Sequence, residues 1–233
     1  MALPKLDTPT YSMTLPSTGE EIKYRPFLVK EQKLMLVAQD TKDVKESYNN
    51  LKEIIDACTF NKIDIENSPI FDIEYMFLKV RSKSIGSKAN VNVICPDDLE
   101  TRQMVEIDLD EINVQIDENH TNKISISDDF TVIMKYPSLK DTTIIEQDNA
   151  NSMIEMIVNC IVEIHHGETI YASADMNDKE KKEFLESFSI EQFTKLNDFF
   201  DTMPRIRHYV NVKNPKTEIE SQVLIEGLES FLA

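Results

Sequence analysis

An α+β fold, in which antiparallel β-hairpins of ribbon-like outline without metal ligands combine with amphipathic helices, is what this sequence predicts. Three observations carry that expectation. Period-two alternation flanks turn-forming residues at several places. Between those places apolar residues recur at the three-and-four spacing of a helix face. The four glycines, Gly19, Gly86, Gly167 and Gly227, lie far apart, so the glycine-rich phosphate loops of nucleotide-binding α/β folds are missing.

The elements follow in order. Tyr11 to Leu15 alternates, Pro16-Ser17-Thr18-Gly19 is turn chemistry, and Glu20 to Phe27 alternates again, closed by Pro26. Leu34, Val37 and Ala38 fit one helix face. Val44, Tyr48, Leu51, Ile54, Ile55 and Cys58 make a longer stripe. Asn61 to Asn67 breaks it. Ser68-Pro69 suits a helix start, and Ile73, Met76, Phe77 and Val80 continue at helical spacing. That helix runs into Arg81, Lys83 and Lys88 near Gly86, the most basic stretch of the chain. Ala89 to Cys95 alternates, Pro96-Asp97-Asp98 turns, and Met104 to Leu109 answers. Ile124 to Ile126 and Phe130 to Met134 read as a hairpin around Asp128-Asp129.

The last third is helical and then returns to strands. Met153 to Ile164 is strongly apolar and reads as one helix ending at Gly167. Asn177 with Glu180, and Ser189 with Gln192, have capping-box spacing ahead of apolar runs that Pro204 ends. His208 to Val212 alternates, Lys213 to Lys216 turns, and Glu218 to Ile225 is the answering strand. The order of strand, polar turn, strand and apolar helical stretch over 11–37 thus recurs at 89–112 and 208–232. The organisation expected is an N-terminal α+β region over 1–112, an acidic connector with a hairpin over 113–147, and a C-terminal helical region over 148–233 that ends in a hairpin and short helix. Asp110 to Asp129 is the best linker candidate.

Composition narrows the function. Apolar residues at 41% and charged residues at 29% suit a folded chain. Lys plus Arg is 25 against 42 Asp plus Glu, a net charge of −17. Such a chain is repelled by phosphate backbones and anionic lipid, so neither nucleic acid nor membrane is an expected partner. The charge serves solubility or forms an acidic face for a basic partner. Cys58, Cys95 and Cys160 are too few and too scattered for a disulfide framework. No basic region precedes an apolar run at the start, so no secretory signal is expected. No apolar stretch reaches the roughly 20 residues that span a bilayer.

Chemistry-bearing patterns are sparse. Two hairpins have the outline of a zinc ribbon, but Cys95 stands alone at its knuckle and 213–216 offers no thiolate. His165-His166, with Glu163 and Glu168 nearby, is the most suggestive pair for a metal-dependent hydrolase. Interaction with the last carbonyls of a helix is the simpler reading of it. No nucleophile elbow occurs. No cofactor, metal or catalytic residue is expected. The stripe Phe184, Phe188, Phe193, Phe199 and Phe200 reads as core. Candidate partner contacts are Arg81, Lys83 and Lys88, pairing with carboxylates of this chain or of a partner, and the apolar tail residues Leu228, Phe231 and Leu232.

Several segments resemble the T4-type phage baseplate proteins. They are the opening 1–36, above all Leu15-Pro16-Ser17-Thr18-Gly19 and Tyr24 to Glu31, then 77–96, Met203 to His208, and Leu224 to Leu228. The resemblance implies a non-enzymatic role in the baseplate hub of a contractile tail, either as a built-in subunit or as an assembly chaperone absent from the finished virion. Implied partners are other hub or tail proteins, with homo- and hetero-oligomers both open. The implied location is the host cytoplasm during assembly and then the virion tail baseplate. Some relatives implied by the resemblance carry cysteine pairs in the knuckles, which this chain lacks.

Overall fold

The computed structural model describes residues 6–40, 44–141 and 150–227. The fold is α+β, with small antiparallel sheets and helices. The chain forms two compact units, 1–115 with 205–233, and 116–204.

The first unit opens with the hairpin β1 (Tyr11–Thr14) and β2 (Glu21–Tyr24). Met13 faces Ile22 across it, and both are buried. Helices α1 (Val29–Asp40), α2 (Val44–Cys58) and α3 (Ile70–Ile85) follow. A second hairpin pairs β3 (Lys88–Ile94) with β4 (Arg102–Asp108). β3 alternates strictly, with Ala89, Val91 and Val93 inward, as a half-buried strand must. The third hairpin pairs β10 (Arg205–Lys213) with β11 (Glu220–Glu226), and β10 also pairs with the short β5 (Val114–Gln115). Sequence order grouped this closing hairpin with the helices before it. Its inward residues Ile206, Val210, Val212 and Ile225 instead share one core with Leu78, Val91, Val93 and Ile107. Apolar faces find partners without regard to chain order.

The recurring hairpins share one turn. Leu15-Pro16, Cys95-Pro96 and Asn214-Pro215 each begin it. The carbonyl of the first residue accepts the N–H four positions on, from Gly19 at 2.8 Å, Leu99 at 3.0 Å and Glu218 at 2.8 Å. That fifth position is left-handed in all three, with φ of 72°, 57° and 61°. Only Gly19 adopts it without a Cβ penalty. After the second hairpin comes a turn at Asp110-Glu111 where a helical stretch was expected. Residues 228–232 of the third repeat lie outside the described residues.

Two of these turns are joined by hydrogen bonds at the place where a zinc ribbon would hold metal. The fully buried Asn214 donates from Nδ2 to both Asp97 oxygens, at 3.1 and 2.9 Å. Its Oδ1 accepts the Lys216 N–H at 2.8 Å. The Thr217 hydroxyl adds a bond to Asp97 at 2.5 Å. That hydroxyl first, and Asn214 after it, hold the Asp97 carboxyl below its ordinary range. Asn214→Ala is expected to cost about 1–3 kcal/mol, since it removes the hydrogen bonds that a fully buried side chain makes to Asp97 and to the Lys216 N–H and so unlocks the two turns. Urea denaturation checks this, and an unmoved midpoint would show that the turns are not clamped here.

The second unit is a four-stranded antiparallel sheet in the order β6 (Lys123–Ser125), β7 (Phe130–Met134), β8 (Ile161–His166), β9 (Thr169–Ala172). Helices α4 (Ala150–Cys160), α5 (Asp178–Glu186) and α6 (Ile190–Thr202) complete it. Both capping boxes are present. Asn177 Oδ1 accepts from the Glu180 N–H at 3.0 Å, and Ser189 Oγ from the Gln192 N–H at 3.2 Å. The apolar run from Met153 is not one helix. It changes to strand after Cys160, where Ile161, Val162 and Ile164 favour a pleated sheet and β7 offers a ladder. Gly167, with φ 57°, belongs to the β8–β9 turn. The aromatic stripe packs on the core. Phe199 is 1% exposed, and Phe184, Phe188 and Phe193 lie partly buried against it. Among the described residues no helix is long and apolar enough to cross a membrane.

Candidate interaction surface

The histidine pair does not converge. His165 and His166 sit on β8, where successive side chains point to opposite faces. His165 Nε2 meets Glu163 at 2.7 Å, two residues along the same face. His166 stacks on Phe130, with ring centroids 4.0 Å apart. Among the described residues no three His, Cys, Asp or Glu side chains are grouped to hold a metal ion. The three cysteines are free and buried. Burial pushes the Cys58 thiol up to about 11 and Cys160 up to about 12, which suppresses the reactive thiolate.

His120 plays a different part. Its Nδ1 lies 3.0 Å from Thr202 Oγ1 and its Nε2 lies 3.1 Å from the Tyr136 hydroxyl. Thr202 spends its own proton on the Asp198 carbonyl at 2.6 Å. Nδ1 therefore carries the ring proton and Nε2 accepts. The ring ties the loop before β6 to the end of α6 and the segment after β7. Burial lowers its proton affinity below the ordinary 6.5, and only the Asp117 charge opposes that. As pH falls below 6.5 the unfolded ring takes up a proton while the folded one resists, so stability is lost. Urea midpoints at pH 7.5 and 5.5 should differ in that sense, and His120→Gln should shrink the difference. An unchanged difference would assign the effect to other groups.

A cleft of about 570 Å³ opens between the β1–β2 turn and the α2–α3 connection, lined by residues that include Glu20, Lys23, Lys62 and Asp64. The buried Asp72 at its wall is satisfied from within. It accepts the Ser17 N–H at 3.1 Å and the Ser17 hydroxyl. None of the residues lining the cleft holds a buried side-chain nitrogen or oxygen without a hydrogen-bond partner.

The basic stretch behaves residue by residue. Lys83 lies 2.8 Å from Asp110, which also accepts from Ser82 at 2.6 Å. Lys88 pairs with Glu106 across the β3–β4 hairpin. Both thus meet carboxylates of their own chain, one of the two arrangements the sequence left open. Arg81 is unlike them. It is only 8% exposed, and its Nε and Nη1 atoms are sealed from solvent with no hydrogen-bond partner among the described residues. It shares a face of α3 with Phe77, Ser84 and Ile85. Phe27 covers that face, its ring centroid 5.7 Å from that of Phe77 and its N–H donating to Ser84 Oγ at 2.8 Å. The neighbouring Leu28, Val29 and Ile85 are exposed. Helical spacing alone left the burial of Arg81 unread, because α3 buries residues on most of its circumference. Leu228, Phe231 and Leu232 lie outside the described residues.

Other apolar side chains face solvent from ordered strands. Tyr209 and Leu224 are direct cross-strand partners on β10 and β11, at 50% and 42% exposure. Ile170 and Tyr171 stand on the edge strand β9, and both are exposed. Sequence reading passed over these four, although an apolar residue on the polar phase of an alternating strand was the available signal.

Neither curated proteins nor solved structures give a match to this chain. A family model described as T4 bacteriophage base plate protein matches residues 8–233, nearly the whole length. The turn recurrence, the α+β build and, residues 1–7 apart, the segments that resembled this family fall inside that match, and the chain belongs to the T4 bacteriophage base plate protein family.

Proposed function

We propose that this baseplate protein works in the hub of a contractile tail by docking onto other tail proteins, without turnover of a substrate. The observation that carries the reading is the family match across 8–233, since it spans both compact units and so bears on the whole chain. Exposed apolar side chains on rigid strands support it, because fixed apolar anchors lose little entropy on docking. Arg81, Lys83 and Lys88, with Leu228, Phe231 and Leu232, are the proposed contacts. Assembly takes place in the host cytoplasm.

A built-in subunit and a transient assembly chaperone use the same surfaces. Quantitative mass spectrometry of purified virions and of tail-assembly intermediates separates them. A subunit is present in fixed ratio in both, and a chaperone in the intermediates alone. Absence from both would overturn the docking proposal itself.

A further inference from the structure

We propose that Leu99, at the tip of the β3–β4 turn, is an apolar anchor that seats in a Lys- or Arg-rimmed pocket of another baseplate protein. The inference rests on the docking reading above and names one site for it.

Leu99 combines two unfavourable features. Its backbone is left-handed, with φ 57°, and its side chain is 76% exposed. The first is rare for a bulky residue, because Cβ crowds the following carbonyl. The second is common on any surface and by itself says little. Together they are informative, since a side chain standing in solvent has no packing to offset the strain of its backbone. Among the described residues the other left-handed positions without glycine are Phe60, Asn61 and Glu218. Asparagine tolerates this conformation. Phe60 has more of its surface covered, at 42% exposed, and the charge of Glu218 suits water. Gly19 fills the matching place in the first turn without strain. Backbone strain of this kind concentrates at functional sites.

The tip is held rigid. The Leu99 N–H donates to the Cys95 carbonyl at 3.0 Å. Asp98 Oδ1 accepts the Glu100 and Thr101 N–H groups at 3.1 and 2.9 Å, and the Thr101 hydroxyl donates to Oδ2 at 2.5 Å. Asp97 ties the turn to Asn214 and Thr217 of the β10–β11 turn. A fixed apolar side chain loses little entropy on docking. Burying a leucine there strengthens binding about tenfold to hundredfold.

Charge defines the occupant. The joined turns, 96–100 and 215–220, carry Asp97, Asp98, Glu100, Glu218 and Glu220 against Lys216. Glu100, Glu218 and Glu220 are exposed. An apolar pocket rimmed by Lys or Arg complements this tip and is steered towards it. A second copy of the same tip, an anionic lipid surface and nucleic acid are all repelled by it.

The test sets Leu99→Gly, Leu99→Asn and Leu99→Met beside the wild-type chain. Purified Leu99→Gly and Leu99→Asn are expected to melt at the wild-type temperature or above it, since both residues accept the left-handed turn. In cells infected with phage lacking the gene and supplied with a variant, incorporation of these two into tail-assembly intermediates is expected to fall about tenfold or more. Leu99→Met keeps an apolar side chain and should be incorporated close to the wild-type level. Lower melting temperatures for Gly and Asn overturn the proposal, because they give the side chain a structural role. Normal incorporation of Leu99→Asn overturns it too, as does loss of Leu99→Met. The occupant is identified with purified Lys216→Cys, labelled with benzophenone on the new thiol, since the native cysteines are buried. Mixed with intermediates that lack the chain and irradiated, it should cross-link to another tail protein at a peptide holding apolar residues with Lys or Arg. No cross-link, or one to a second copy alone, overturns that occupant. Wild-type protein missing from the intermediates defeats the docking reading as well, whereas incorporation indifferent to Leu99→Asn defeats only this site.

Discussion

Glu31→Ala is expected to destabilise the chain by about 3–5 kcal/mol, read as a drop in the urea midpoint. The Glu31 side chain is 1% exposed and lies 2.8 Å from Arg25 Nη2. Its other oxygen accepts the Leu28 N–H at 2.8 Å, at the start of α1. Arg25 in turn donates to the Pro26 carbonyl at 2.9 Å, and its backbone N–H reaches the Cys58 carbonyl at 2.9 Å. One carboxylate thus fixes the end of β2, the start of α1 and the end of α2. Its removal strands Arg25, only 11% exposed, without a counter-charge, and leaves the Leu28 N–H without its acceptor. The third partner, Lys30 at 3.3 Å, is largely in solvent and contributes little.

The same group sets a pH signature. Burial pushes the Glu31 carboxyl up. The hydrogen bonds from Arg25 and Leu28 and the Arg25 charge outweigh burial and hold it below 4.5. Its stabilisation is complete above that value and is lost as pH falls through the lowered one. Glu31→Gln, which keeps an acceptor but no charge, should lose less at neutral pH and show a shallower acid limb. Parallel acid limbs in wild type and Gln variant would remove Glu31 from that account.

Phe199→Ala is expected to cost about 3–5 kcal/mol in the second unit. Phe199 is 1% exposed. Its ring stacks on Tyr136 at 5.7 Å, meets Phe200 edge-on at 5.1 Å and lies 5.2 Å from His120. Truncation opens a cavity under a sheet and removes the platform of the His120 hydrogen bonds. Hydrogen exchange should therefore quicken in β7 and α6 as the midpoint falls. Phe199→Leu, which fills most of the volume, should cost less. Equal losses for Ala and Leu would mean that ring geometry dominates over volume.

Local signals were the legible part of the sequence. The caps at Asn177 and Ser189 need only residues three apart, so their reading carried straight into hydrogen bonds. The hairpins at 11–24, 89–108 and 205–226 were legible for the same reason, since a proline turn between alternating runs is a local instruction. What depended on distant partners was not legible. Nothing near Cys160 says that the chain turns to strand there, because an unbroken apolar run suits either state until β7 supplies a ladder. Asn214 read as turn chemistry, and its bond to Asp97 spans 117 positions. Lys83 and Lys88 find carboxylates 27 and 18 residues away, while Arg81 finds none among the described residues. The site was therefore half visible: its basic residues could be named, but which of them remained unmet could not.

That the chain serves the baseplate through surfaces fitted to other tail proteins is tested most directly by isolating a tagged copy from infected cells and identifying by mass what accompanies it. The account predicts other tail proteins in a fixed ratio, retained through washing. Recovery of the chain by itself at every stage of infection would contradict it.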